Sequence, residues 1–97
     1  MSRQTAKLHF PADHPAAAGH FPGNPMIPGA VLLDAVIGAI AEGRRDAEML
    51  VRTAKFLHVV RPGDTLELFW LVAGDAISFE AKLEARLAVT GKIEMTT

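Results

Sequence analysis

His20-Phe21-Pro22-Gly23-Asn24-Pro25-Met26-Ile27-Pro28-Gly29-Ala30-Val31-Leu32-Leu33-Asp34 is a proline- and glycine-rich loop that runs directly into an apolar helix. Three prolines (Pro22, Pro25, Pro28) and two glycines (Gly23, Gly29) fall in the eight residues 22–29. Proline fixes φ and glycine admits positive φ, so the loop is stiff and suited to close approach by another group. Pro28 suits the first turn of a helix, where its missing N–H loses no intrahelical bond. From 30 to 41 every residue is apolar or glycine except Asp34, and Gly43 offers a C-terminal stop. A helix over 28–42 with this composition is apolar on nearly every side, which predicts enclosure rather than a surface position. At ~1.5 Å per residue it is roughly 22 Å long, too short to span a membrane, which takes ~20 apolar residues. An aspartate on such a helix meets a desolvation cost that only a partner, a protonated state or a wet cleft removes. Asp34 is the residue that function has to explain.

The surrounding composition narrows the choices. Ninety-seven residues, 49% hydrophobic and 22% charged, read as a single domain, 1–97, of a size at which association with another copy helps. A net charge of −1 gives no electrostatic case for nucleic-acid binding. The absence of cysteine excludes a disulfide framework, a thiolate metal site and a cysteine nucleophile. His9, His14 and His58 have no spacing that suggests metal ligation, so no metal is expected. The first seven residues lack the apolar run of a signal peptide, which predicts a soluble, cytoplasmic protein.

On either side of the helix the pattern is that of strands. Residues 4–10 alternate loosely and end at Pro11, and residues 11–19 form a loop leading to His20. Beyond the helix the apolar period changes from 3.6 to 2. Residues 49–60 read as one strand and 65–72 as the next, separated by the turn Arg61-Pro62-Gly63-Asp64. After a second turn at Ala73-Gly74-Asp75, Ile77, Phe79, Ala81, Leu83, Ala85, Leu87, Val89, Ile93 and Met95 hold odd positions, and Ser78, Glu80, Lys82, Glu84, Arg86, Thr90, Lys92 and Glu94 even ones. This is a half-buried antiparallel ribbon, too long for one strand, and a reversal near 84–86 is expected. Phe69 and Trp70 are adjacent, so one faces the core and the other outward. An antiparallel sheet with one apolar face needs a cover, and the helix supplies it, giving an α+β fold in which a curved sheet wraps around one central helix.

His20-Phe21-Pro22-Gly23-x-Pro25, Met26-Ile27-Pro28-Gly29 and Leu33-Asp34-Ala35, followed by Lys55-Phe56 and Val60-Arg61-Pro62-Gly63-Asp64-Thr65-Leu66, resemble the 3-hydroxyacyl-acyl carrier protein dehydratase family of the hotdog fold. The resemblance implies His20 as catalytic base and acid, Asp34 as the acidic partner, and the Gly29 N–H as the group that polarises the thioester carbonyl. Phe21, Pro22 and Gly23 then shape the substrate-binding loop as scaffold. It further implies a homodimer or higher homo-oligomer with a continuous sheet, whose sites take histidine and acid from different subunits. Acyl carrier protein is the expected substrate carrier. Many members carry glutamine four residues after the acid, where this chain has Gly38, and the leading helix and strand of longer members are expected to be missing.

The chemistry agrees with these assignments. Dehydrating a 3-hydroxyacyl thioester removes a proton from C2 and the hydroxyl from C3. Histidine suits the abstraction near neutral pH. Free N–H groups at a helix start stabilise the charge that develops on the thioester oxygen, and a carboxylic acid can protonate the departing hydroxyl. No cofactor is required. Arg44, Arg45, Arg52, Lys55 and Arg61 offer a basic patch for an acidic carrier protein. Two other functions fit the fold: an acyl thioesterase, in which the acid activates water, and a non-catalytic relative that binds acyl chains or a partner.

Overall fold

Local turn chemistry sets the strand order. The computed structural model describes residues 2–13, 25–42 and 48–96; its elements are β1 (Ser2–His9), α1 (Gly29–Ala41), β2 (Glu48–Phe56), β3 (Thr65–Ala73), β4 (Ala76–Leu83) and β5 (Arg86–Thr96). Gly74, with φ 63°, opens the two-residue reversal between the paired Ala73 and Ala76, the first loop position that tight hairpins reserve for glycine. Glu84 takes φ 56° in the β4–β5 reversal, so the expected turn at 84–86 is present, built without glycine. Together these hairpins make β3, β4 and β5 consecutive neighbours.

The longer connections place β1 and β2 on the two outer edges, in the order β1-β3-β4-β5-β2, with every pairing antiparallel. Leu66, Leu68 and Trp70 of β3, Ile77, Phe79 and Ala81 of β4, and Val89 and Ile93 of β5 are buried on one face. Leu32, Val36 and Ile40, spaced four apart along α1, complete this core. The hotdog arrangement of one helix on a curved antiparallel sheet is thus present. Trp70 is the core-facing member of its pair. Phe69 points outward, with the Arg3 guanidinium 5.0 Å and the Lys82 ammonium 5.8 Å from its ring centre.

Curvature has a local cause at Gly91. The β2–β5 register shifts between Val51 and Thr53, so Arg52 is the extra residue of a bulge, and its guanidinium pairs with Glu94 across the ladder at 2.5 Å. Opposite that bulge, a side chain at Gly91 would overlap the Thr53 carbonyl oxygen and the Phe79 ring. Glycine lets the Phe79 ring lie over the strand where the sheet bends.

Two expectations are corrected. The strand over 49–60 ends at Phe56, because the next backbone groups bond elsewhere: the Leu57 N–H donates to the Ala88 carbonyl at 2.7 Å, and the Val60 carbonyl accepts from the Ile27 N–H at 2.8 Å. The helix, too, is not enclosed within one chain. Leu32, Val36 and Ile40 are buried, whereas Ala30, Asp34 and Gly38, also spaced four apart, form an exposed stripe. A single sheet covers one side of a helix and leaves the other open. Helix α1 starts at Gly29 with Pro28 as its extended N-cap (φ −61°, ψ 149°) and ends at Ala41; Gly43 lies outside the described residues. Among the described residues no helix is long and apolar enough to cross a membrane.

Candidate active site

The start of α1 is held from three directions. Fully buried Ile27 is tied to Val60 by the hydrogen bond above. Val60 leads into the turn 61–64, where the Asp64 N–H donates to the Arg61 carbonyl at 3.0 Å and Gly63 takes φ 95° after Pro62. That turn is bound in turn to the end of β1: the Gly63 N–H donates to the Phe10 carbonyl at 2.6 Å and the Phe10 N–H to the Asp64 carbonyl at 3.0 Å. The Pro-Gly-Asp signature therefore acts at a distance, by fixing where the helix begins.

At that start, the Val31 and Leu32 N–H groups donate to the Pro28 carbonyl at 3.0 and 3.1 Å. Among the described residues no side chain caps the helix, and its first turn carries no acidic residue. Among the described residues nothing accepts from the N–H groups of Gly29 and Ala30. These two donors and the positive end of the helix dipole suit an oxygen that gains negative charge. Gly29 lines an open groove of about 490 Å³ together with Met26, Leu32, Phe56, Leu57, His58 and Val59. The walls are mostly apolar, as an acyl chain requires.

Asp34 does not belong to that groove. Five residues beyond Gly29, it lies roughly 140° around the helix from it. Its carboxylate is exposed and has no hydrogen-bond or ion-pair partner among the described residues. Gly38 stands one turn further along the same stripe, and a Cβ there would meet nothing within 4 Å. One chain therefore places Gly29 in the groove and the acid on another side of the helix. His20, Phe21, Pro22 and Gly23 lie outside the described residues. Of the basic residues, Arg52 is engaged by Glu94, while Arg44 and Arg45 also lie outside the described residues.

Sequence reasoning gave no role to Phe56, Leu57, His58 or Val59, which form one wall of the groove. The signal was present as Lys55-Phe56 standing at a fixed distance before Pro62-Gly63-Asp64, and as an apolar run that outlasts its strand.

One helix on a curved antiparallel sheet, with an apolar groove at the helix start and a carboxylate further along the same helix, defines a hotdog domain. The family model described as ApeI-like, ApeI dehydratase, matches residues 1–92, and the chain belongs to this family. It is similar to the 3-hydroxyacyl-[acyl-carrier-protein] dehydratase FabZ of Latilactobacillus sakei subsp. sakei (strain 23K), 49% identical over 59 residues, which cover 52% of this chain and 42% of that protein. The FabZ of Chloroflexus aggregans is 42% identical over 66 residues, covering 59% of this chain and 46% of that protein. The chain thus spans about half the length of these curated relatives. Among solved structures, the dehydratase heterocomplex ApeI:P from Xenorhabdus doucetiae superposes with a TM-score of 0.85 at 23% identity, covering 98% of this chain and 88% of that one. The (R)-hydratase from A. caviae gives 0.76 at 16% identity, covering 98% and 93%. At these identities the structures establish the shared fold.

Proposed function

We propose that the protein dehydrates 3-hydroxyacyl thioesters, carried on acyl carrier protein, to trans-2-enoyl thioesters, as a homodimer whose sites are shared between subunits. The observation that carries this reading is the division of α1: Gly29, whose N–H has no acceptor among the described residues, lines the groove, and the Asp34 carboxylate, without a partner among them, lies outside it. A second copy brings its own Asp34 to the groove and removes that discrepancy. The FabZ relatives support the substrate, since their names specify 3-hydroxyacyl groups on acyl carrier protein.

In this reaction the thioester oxygen accepts from the Gly29 N–H, which stabilises the enolate-like charge as C2 loses its proton. The His20 imidazole takes that proton. Asp34 of the second copy gives a proton to the C3 hydroxyl, the C3–O bond breaks, the C2=C3 bond forms and water leaves. The proton held by histidine returns to the carboxylate through solvent. The same groups run the hydration in reverse. An apolar groove serves by keeping other water from the reacting carbons.

The test is enoyl formation from a short 3-hydroxyacyl carrier-protein thioester by wild type, His20→Ala and Asp34→Asn. Turnover that falls by ~10²-fold or more in each folded variant is the expected result. No turnover by folded wild type across several chain lengths would sink the dehydratase reading. Release of free thiol in place of enoyl product would identify a thioesterase instead.

A further inference from the structure

Phe56 is the wall residue whose position relative to the reacting groups is best defined. It closes β2 on the core face, opposite Val89, and its ring lies against the start of α1. A Cβ added to Gly29 would stand 3.1, 3.2 and 3.3 Å from three carbons of that ring. Ordinary carbon–carbon contact begins at about 3.5 Å, so a methyl between ring and helix start would need the ring to give by a few tenths of an ångström. The ring is also 48% exposed in the single chain, so part of it faces the groove rather than the core.

Gly29, whose N–H has no acceptor among the described residues, lines the same groove as this ring. A thioester oxygen accepting from it sits ~2.9 Å from the nitrogen, and C2 is only two bonds from that oxygen. The substituents of C2 therefore pass next to the Phe56 ring.

We infer that Phe56 is a specificity-determining residue that restricts the substrate to thioesters unbranched at C2. This rests on the dehydratase reading and adds to it the class of acyl group. Chemistry alone does not impose the restriction, because a 2-methyl-3-hydroxyacyl thioester retains one C2 proton and its dehydration breaks and forms the same bonds. Space imposes it.

The experiment compares kcat/KM for 3-hydroxybutyryl and 2-methyl-3-hydroxybutyryl carrier-protein thioesters in wild type, Phe56→Tyr, Phe56→Leu and Phe56→Ala, with both C2 epimers supplied. Wild type is expected to prefer the straight substrate. In Phe56→Ala the branched-to-straight ratio rises by roughly tenfold or more, the scale at which pockets discriminate one methyl. Phe56→Leu falls between, and Phe56→Tyr keeps the wild-type ratio. Each ratio is taken within one variant, so a loss of folded protein cancels, and Phe56→Leu carries the test if the alanine variant does not fold. An unchanged ratio in the truncated variants, with the straight substrate still turned over, overturns the role of Phe56 and leaves the dehydratase reading standing. Failure of wild type on both substrates overturns that reading and this inference with it.

Discussion

The two edge strands of the sheet are chemically unlike. On β1, Arg3, Thr5, Lys7 and His9 point to solvent, and charge on an open edge discourages pairing with another strand. The other edge, β2, also exposes Glu48, Arg52 and Lys55, but it adds large apolar side chains. Leu50 and Phe56 of β2, with Leu57 and Val59 just beyond it, are 38–56% exposed and are the large exposed hydrophobic residues among those described. Both edges leave backbone groups unpaired, yet only the second adds side chains that gain from being covered. The same edge borders the groove, since Phe56, Leu57 and Val59 line it. This contrast favours β2 as the edge of the proposed homodimer, where pairing with a symmetry mate would continue the sheet and cover some of these apolar side chains.

The largest expected effect breaks the comparison at the active site itself. His20→Ala and Asp34→Asn chains, each inactive alone, are co-refolded from a mixture. Sites shared between subunits restore activity to about a quarter of wild type, because half the dimers are mixed and each mixed dimer has one intact site. Absence of recovery, with mixed dimers confirmed by mass spectrometry, shows that each chain completes its own site. Charge placed on each edge gives the next effect. Leu50→Lys with Leu57→Lys is expected to weaken self-association at least ~10-fold by sedimentation, through repulsion and lost apolar contact, whereas Thr5→Lys on β1 leaves it unchanged. Equal effects from both edges would remove the distinction drawn between them.

A pair of glycines sharpens it further. Gly91→Ala forces a methyl into the Thr53 carbonyl and the Phe79 ring behind the β2 bulge, and is expected to cost about 3 kcal/mol in urea unfolding. Gly38→Ala meets open space in the single chain and is expected to stabilise the helix by up to ~1 kcal/mol. If the partner packs on the stripe of Ala30, Asp34 and Gly38, that gain shrinks in the dimer, and comparing unfolding across protein concentrations reveals it.

Much of this was legible in the chain. Residues 76–95 could be read because their strands pair through short local turns and divide core from solvent with period 2. Gly91 interrupts that alternation, and the Phe79 ring above it shows why a side chain there has no room. The end of β2 was less legible. The run from Leu57 to Val60 is as apolar as a strand, but its hydrogen bonds go to Ala88 and Ile27, and hydropathy does not record the partner of a backbone group. Phe56 carried no visible role because its importance lies in contact with Gly29, twenty-seven positions earlier in the chain.

The sequence by itself determined the class of fold, the start of the helix and the residue types offered for chemistry, because proline, glycine and hydrophobic period act over a few neighbouring residues. Only the tertiary structure decided which side of the helix the sheet covers, and therefore that Gly29 and Asp34 face apart. Apolarity tells a residue to leave water. It does not say whether its own chain or a second one will cover it.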